Sequence, residues 1–343
     1  MTLPRTGAQG ALPQNETTSV DTFIDVRALR KRFGSVDVVN DLNFSVRRGE
    51  ILGLLGPNGA GKSTTLKMIT GYLAPTAGTV AICGRDMAAD PLEAKRHLGY
   101  LPEGAPLYNE MTPEALLRFA GAVRHMPSAL RRRRSAEVID ALELGRVLYQ
   151  RIETLSKGFK RRVGLAQAIL HNPDVLILDE PTDGLDPNQK RQVRELIHML
   201  ARDKAIIIST HLLEEVDAFC SRALIIDRGR IVLEGSPADL HAMAGDHNEV
   251  TIYLPGQDIG RAEAAIGRIG AVTLRRGAAR DETRETLLAR PADGRPITEA
   301  IAATLHEAGL TNFELSTEPG RLDDVFRRFT SSDSTPSATE TAA

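Results

Sequence analysis

The segment Gly56-Pro57-Asn58-Gly59-Ala60-Gly61-Lys62-Ser63-Thr64 limits what this chain can fold into more than any other part of it. Its first eight residues have the spacing G-x-x-x-x-G-K-[ST]. The apolar run Ile51–Leu55 precedes them, and a helical pattern carrying Leu66 and Ile69 follows. A strand before and a helix after distinguish this motif from a flexible turn that matches by chance. Glycine reaches backbone angles closed to other residues, so several loop N–H groups can turn toward one anion. The helix that begins at the lysine adds its positive end. The expectation is a loop, Gly56 to Thr64, that holds the phosphates of a nucleoside triphosphate. Lys62 is expected to reach the β- and γ-phosphates, and Ser63 to bind Mg2+.

Such a loop needs a parallel sheet behind it, and the chain supplies one. Continuous apolar runs occur at Ile51–Leu55, Val175–Leu178, Ala205–Ile208 and Ala223–Ile226. They have the texture of strands buried on both faces. From Lys190 to Ala201, Val193, Leu196, Ile197 and Leu200 fall at helical spacing. The alternating segments Ile24-Asp25-Val26 and Leu42–Val46 read as half-buried strands. The fold class expected is α/β with an antiparallel β portion at its front. Between Glu110 and Leu155, the residues Leu116, Leu117, Phe119, Val138, Ile139, Leu142 and Leu144 fall at helical spacings with no strand-like run. This reads as a helical insertion, about residues 104–165. His247 to Phe329 alternates in the order β-α-β-β-α-β, resembling a ferredoxin-like split motif, and carries no chemistry-bearing cluster. The expected domains are therefore a disordered arm (1–21), the α/β domain (22–244), a small α+β domain (247–330) and a disordered tail (331–343).

Composition narrows the partners. A formal net charge of −2 over 343 residues gives no electrostatic footprint for nucleic acid. The run Arg131–Arg134 reads as a solvated helix face. Two cysteines, Cys83 and Cys220, lie far apart, fit no metal spacing and point to a reducing compartment. The first residues lack the apolar core of a secretory signal. No stretch approaches the roughly 18 apolar residues of a membrane span, so a membrane role must come through a partner.

Val175–Glu180 is an apolar strand that ends in two carboxylates and is stopped by Pro181. Asp179 suits an outer-shell role on Mg2+, and Glu180 suits a general base that takes a proton from an attacking water. Upstream, Leu155-Ser156-Lys157-Gly158-Phe159 stands before a helix read as Lys160–Leu170. Ser156 can offer a hydroxyl, and the amides from Ser156 to Gly158 can face an anion. An L-S-x-G-x helix start, a helix and then HNPDVLILDEPTDGLDP together resemble the ABC-type ATPases, over nearly all of Thr22 to Ala244.

The resemblance carries further implications. It places Phe33 as an aromatic that stacks on adenine and Glu103 at the glutamine-loop position. Gly184-Leu185-Asp186 becomes a loop that crosses a dimer interface, and His211 a switch histidine near the γ-phosphate. It implies two cassettes paired head to tail, each ATP held between one subunit's phosphate loop and the partner's Ser156 and Gly158. Ser63, Glu103 and Asp179 would then hold Mg2+. Two departures stand out: Glu103 replaces the glutamine, and Lys157 and Phe159 replace the more usual Gly and Gln of the signature. Such variants, and RLDDVFRRFT after a small C-terminal domain, are similar to exporter-type subunits of the multidrug or gliding-motility kind. The implied partners are a second copy and a separate transmembrane permease, which would place the chain peripherally on the cytoplasmic face of the cell membrane. The alternative is a soluble ABC ATPase acting on a ribosomal or nucleic-acid partner. Against it, the chain has one cassette and no coiled coil between Lys62 and Leu155. Asp179, Glu180 and His211 together argue against a non-hydrolysing subunit. The small C-terminal domain reads either as a passive appendage or as a regulatory or dimer-contact domain; in the second case a second apolar face, or the Leu322, Val325 and Phe326 segment, would serve the contact.

Overall fold

The computed structural model describes residues 21–330 except 281–283 and 318. The arm up to residue 20 and the tail from 331 lie outside the described residues. Two twelve-residue strands, β1 (Thr22–Phe33) and β2 (Val36–Arg47), form an antiparallel hairpin. Next come β3 (Ile51–Leu55), the glycine loop and α1 (Lys62–Ile69). Then follow β4 (Ala77–Ile82), β5 (Arg85–Asp86), α2 (Pro91–Arg96) and β6 (Leu98–Leu101). Three helices come after, α3 (Pro113–Val123), α4 (Ser128–Ala141) and α5 (Lys157–Ile169). Strands and helices then alternate as β7 (Val175–Asp179), α6 (Pro187–Ala201), β8 (Ala205–Thr210), α7 (Leu213–Phe219) and β9 (Arg222–Asp227). β10 (Arg230–Gly235) and α8 (Pro237–Ala242) complete this part.

The apolar runs become the middle of one six-stranded sheet in the order β10-β9-β3-β8-β7-β6. β3 pairs in parallel with β8 and β9, and β7 with β6 and β8; β10 is an antiparallel edge on β9. Every residue of β3, β7 and β8 is buried, as expected where both faces of a sheet are covered. One face packs the core that also holds Ile24, Val26, Leu42 and Phe44 of the hairpin, so the second sheet, β2-β1-β4-β5, closes over it. The other face packs α5, α6 and the helical insertion, with Leu116, Leu117 and Val138 contributing to that core.

The chain continues through β11 (Val250–Pro255), α9 (Ile259–Ile266), β12 (Val272–Arg276), β13 (Arg284–Pro291), α10 (Thr298–Glu307) and β14 (Glu314–Thr317). These strands make an antiparallel sheet in the order β12-β13-β11-β14, with two helices on it. Val250, Ile252, Ile266, Leu287, Ile301 and Leu305 form a core of their own.

α11 (Leu322–Thr330) corrects an expectation. Its apolar stripe is taken up within the chain itself. It packs against α8, β9 and β10, with Leu322 buried in the core of the large sheet and Phe326 lying partly buried against it. The approach is fixed from both sides: His241 donates from Nδ1 to the Gly320 carbonyl at 2.7 Å, and the Arg321 amide donates to Asp246 at 3.0 Å. The edge strand β10, whose Val232 and Leu233 pack against this core, is contacted by both α8 and α11 of the same chain.

Candidate functional site

The glycine loop leaves β3 at its C-terminal end. Gly61 has φ +106°, and a Cβ there would lie 2.6 Å from the Val38 carbonyl; a Cβ on Gly56 would lie 2.2 Å from the Ile226 carbonyl. Only glycine fits at either position. The loop is thereby pressed between the hairpin and β9, and it forms one wall of a cleft of about 370 Å³ lined by Asn58, Gly59, Gly61, Lys62, Ser63 and Thr64. Val38, Glu103, Asp179 and Glu180 line the other sides.

The charges in the cleft fit a polyphosphate with a hard cation. Lys62 is buried and donates from Nζ to the Gly56 carbonyl at 2.6 Å and the Pro57 carbonyl at 3.1 Å. Burial pulls its ammonium below the ordinary lysine value, and the carboxylates of Glu180, Asp179 and Glu103 oppose that. Three carboxylates and a serine hydroxyl around one lysine leave an excess of oxygen donors and negative charge, which is the donor set of Mg2+.

Glu180 occupies an unusual backbone position. Its φ is +50°, costly for a residue with a side chain, on the order of 1 kcal/mol. Its amide donates to the Ser209 carbonyl at 3.0 Å, and Arg161 Nη2 donates to the carbonyls of both Asp179 and Glu180. The sharp turn after β7 is thus held from two sides, which aims the carboxylate into the cleft. His211 Nδ1 lies 2.7 Å from Glu180 Oε1. Asp179 accepts a hydrogen bond from the hydroxyl of Ser209 and is almost fully buried.

Three positioning residues escape the sequence reading. Arg161, 5% exposed, joins α5 to the end of β7 and, through the Pro102 carbonyl at 3.0 Å, to the segment bearing Glu103. Burial lowers its guanidinium from the ordinary arginine value, and nearby Asp183, Asp179, Glu180 and Glu103 oppose this. Glu215, 3% exposed, accepts from the hydroxyls of Thr182 and Thr210, tying the loop after Glu180 to the strand before His211. Ser209 is the third. The available signal was a charged residue at a position where helical periodicity demands an apolar one: Arg161 three before Gly164 on α5, Glu215 four before Phe219 on α7.

The remaining expected residues are not gathered into this cleft. Phe33 lies at the hairpin end, half exposed, with Lys31 Nζ 5.1 Å from its ring centre. Ser156 and Gly158 stand at the start of α5. That helix begins at Lys157, not Lys160, because the Ser156 hydroxyl caps it by accepting from the Phe159 amide at 3.3 Å. A Cβ on Gly158 would meet the Gln189 amide oxygen at 2.5 Å. Lys157 pairs with Asp183 at 2.8 Å, so the loop Asp183–Asp186 lies beside this helix start.

A glycine loop at the end of a central parallel strand, facing carboxylates at the end of another, defines a phosphate-loop ATPase. The family model described as ABC transporter matches residues 39–183. The chain is 32% identical over 309 residues to the Nod factor export ATP-binding protein I of Ralstonia nicotianae, covering 90% of this chain and 94% of that one. It is 37% identical over 235 residues to the probable multidrug ABC transporter ATP-binding protein YbhF of Escherichia coli, covering 68% of this chain and 40% of that one. A solved ATP-binding subunit of an ABC transporter superposes with a TM-score of 0.61 at 34% identity, covering 64% of this chain and 92% of that one. The chain belongs to the ABC transporter ATP-binding proteins, and it is an ATPase of that family.

Proposed function

We propose that this chain is the ATP-hydrolysing subunit of an exporter whose membrane-spanning part is a separate protein. The observation that carries the reading is the reach of the similarity to an export ATP-binding protein: 309 aligned residues exceed the whole chain up to Ala244. Among the described residues no helix is long and apolar enough to cross a membrane, which fits a separate permease. Phosphates would lie along Gly56 to Thr64 with Lys62 supplying charge. Ser63, Asp179 and Glu103 would hold Mg2+, which when bound neutralises phosphate oxygens. Glu180 takes the proton of the attacking water, and His211 holds the Glu180 carboxylate in place. Phe33, half exposed at the hairpin end, would stack on the base. Ser156 and Gly158 lie outside their own cleft, which favours a second copy presenting them to the nucleotide.

Co-purification from detergent-solubilised membranes tests this. An integral membrane protein should elute with the chain in stoichiometric amount; ribosomal proteins in its place would overturn the proposal.

Glu103 permits a finer test. Glu103→Gln removes one negative charge near the triphosphate, so it should keep turnover within about threefold and tighten ATP binding by about 1 kcal/mol, roughly fivefold in Kd. Complete loss of phosphate release would show that the carboxylate itself is required.

A further inference from the structure

At the end of the large sheet opposite the nucleotide cleft, three side chains from separate segments converge. Cys83 directly follows β4, His97 caps α2 just before β6, and Asp174 directly precedes β7. One ligand atom of each lies within 4.8 Å of the other two, with His97 Nδ1 and Asp174 Oδ2 at 2.6 Å. Asp179, at the far end of β7, is five residue steps from Asp174, about 17 Å along a strand.

Thiolate, imidazole and carboxylate together form a borderline-soft donor set, suited to Zn2+ and not to the Mg2+ of the nucleotide cleft. We propose that Cys83, His97 and Asp174 form a Zn2+ site with three protein ligands and one open position.

The backbone at each ligand is fixed. The Cys83 amide donates to the Phe23 carbonyl at 2.8 Å, the Val175 amide to the His97 carbonyl at 2.9 Å, and the Ala205 amide to the Asp174 carbonyl at 3.0 Å. The side chains retain freedom: those of His97 and Asp174 are 38% and 50% exposed. Zinc–ligand bonds of about 2.0–2.3 Å in tetrahedral geometry put neighbouring ligand atoms roughly 3.3–3.7 Å apart. The imidazole and carboxylate therefore part by about 1 Å to admit the ion, and the thiol closes in. Because Cys83 adjoins a strand of the antiparallel sheet, and His97 and Asp174 adjoin strands of the large one, the ion would staple the two sheets. Cysteine spacing hides the site, since its other two ligands are not cysteines.

The test is titration of the reduced, nucleotide-free full-length chain with Co2+, followed by Zn2+. A thiolate-to-cobalt charge-transfer band in the near ultraviolet should saturate at one equivalent and vanish as Zn2+ is added. Cys83→Ser should abolish the band, Asp174→Asn should weaken Co2+ binding at least tenfold, and Cys220→Ala, which removes the other thiol, should keep it. Zn2+ should also raise the Tm of the wild-type chain, and of Cys220→Ala, above the value in EDTA, and leave that of Cys83→Ser unchanged. A wild-type chain that shows no thiolate band, or takes up Co2+ with oxygen-donor bands alone, overturns the proposal. So does a band that survives Cys83→Ser. If Cys83→Ser does not fold, as its circular dichroism will show, the wild-type titration and Asp174→Asn decide.

Discussion

Glu180→Gln is expected to bind ATP as well as the wild-type chain and to turn it over more slowly by on the order of a hundredfold or more. Glutamine keeps the size of the side chain and can keep the 2.7 Å contact with His211. The turn at φ +50° is held by backbone hydrogen bonds to Ser209 and from Arg161, which the substitution leaves alone. What is lost is basicity: an amide oxygen does not accept the proton that the attacking water gives up. Removing a negative charge beside the phosphates also favours the ATP-bound state. The variant should therefore accumulate as an ATP-loaded dimer, visible by sedimentation with and without nucleotide, while single-turnover phosphate release slows. Near-normal turnover would move the base to another residue.

Lys62→Ala should abolish hydrolysis and weaken ATP binding by on the order of a hundredfold. The ammonium sits among the Gly56 and Pro57 carbonyls and faces three carboxylates. In the loaded cleft it is the cation within the loop, and hydrogen bonds of this charge-assisted kind contribute about 1.5–3 kcal/mol each. Alanine offers neither charge nor donor, and no neighbouring side chain on the loop replaces them. The fold should survive, because burial already disfavours the charged lysine. A Tm close to that of the wild-type chain, beside an ATP titration that fails to saturate at wild-type concentrations, is the expected pair of results. Unchanged affinity and turnover would contradict the reading of the loop.

The glycine loop and the strand end at Asp179 were legible because their chemistry is local. A change from strand to helical periodicity brackets one, and a run of apolar residues stops abruptly at the other. Arg161 and Glu215 were not legible because their partners are distant: Arg161 reaches Pro102 and Asp179, and Glu215 reaches Thr182. No spacing rule connects such residues. The sequence reads α5 as starting at Lys160, three residues after its true start. Lys157-Gly158-Phe159 contains a glycine and resembles a loop, and what holds Phe159 is partly the Arg146 guanidinium 4.7 Å from its ring centre. In α11 the stripe of Leu322, Val325 and Phe326 showed that one face is covered; it could not show by what.

The docking of α11 has a consequence for how the molecule comes into being. The sheet of β11 to β14 hangs from the large domain by two attachments, α8 on one side and α11 on the other, so in topology it is an insertion. A ribosome adding about 5–20 residues per second needs roughly 4–18 s to proceed from the end of α8 to the end of α11. During that interval the part of β9 and β10 that α11 contacts waits without it. The nascent ATPase can therefore fold its nucleotide cleft early, yet its outer edge is sealed only after the later domain has emerged and handed α11 back. Tethering at both ends then leaves that domain far less room to swing than a single linker would.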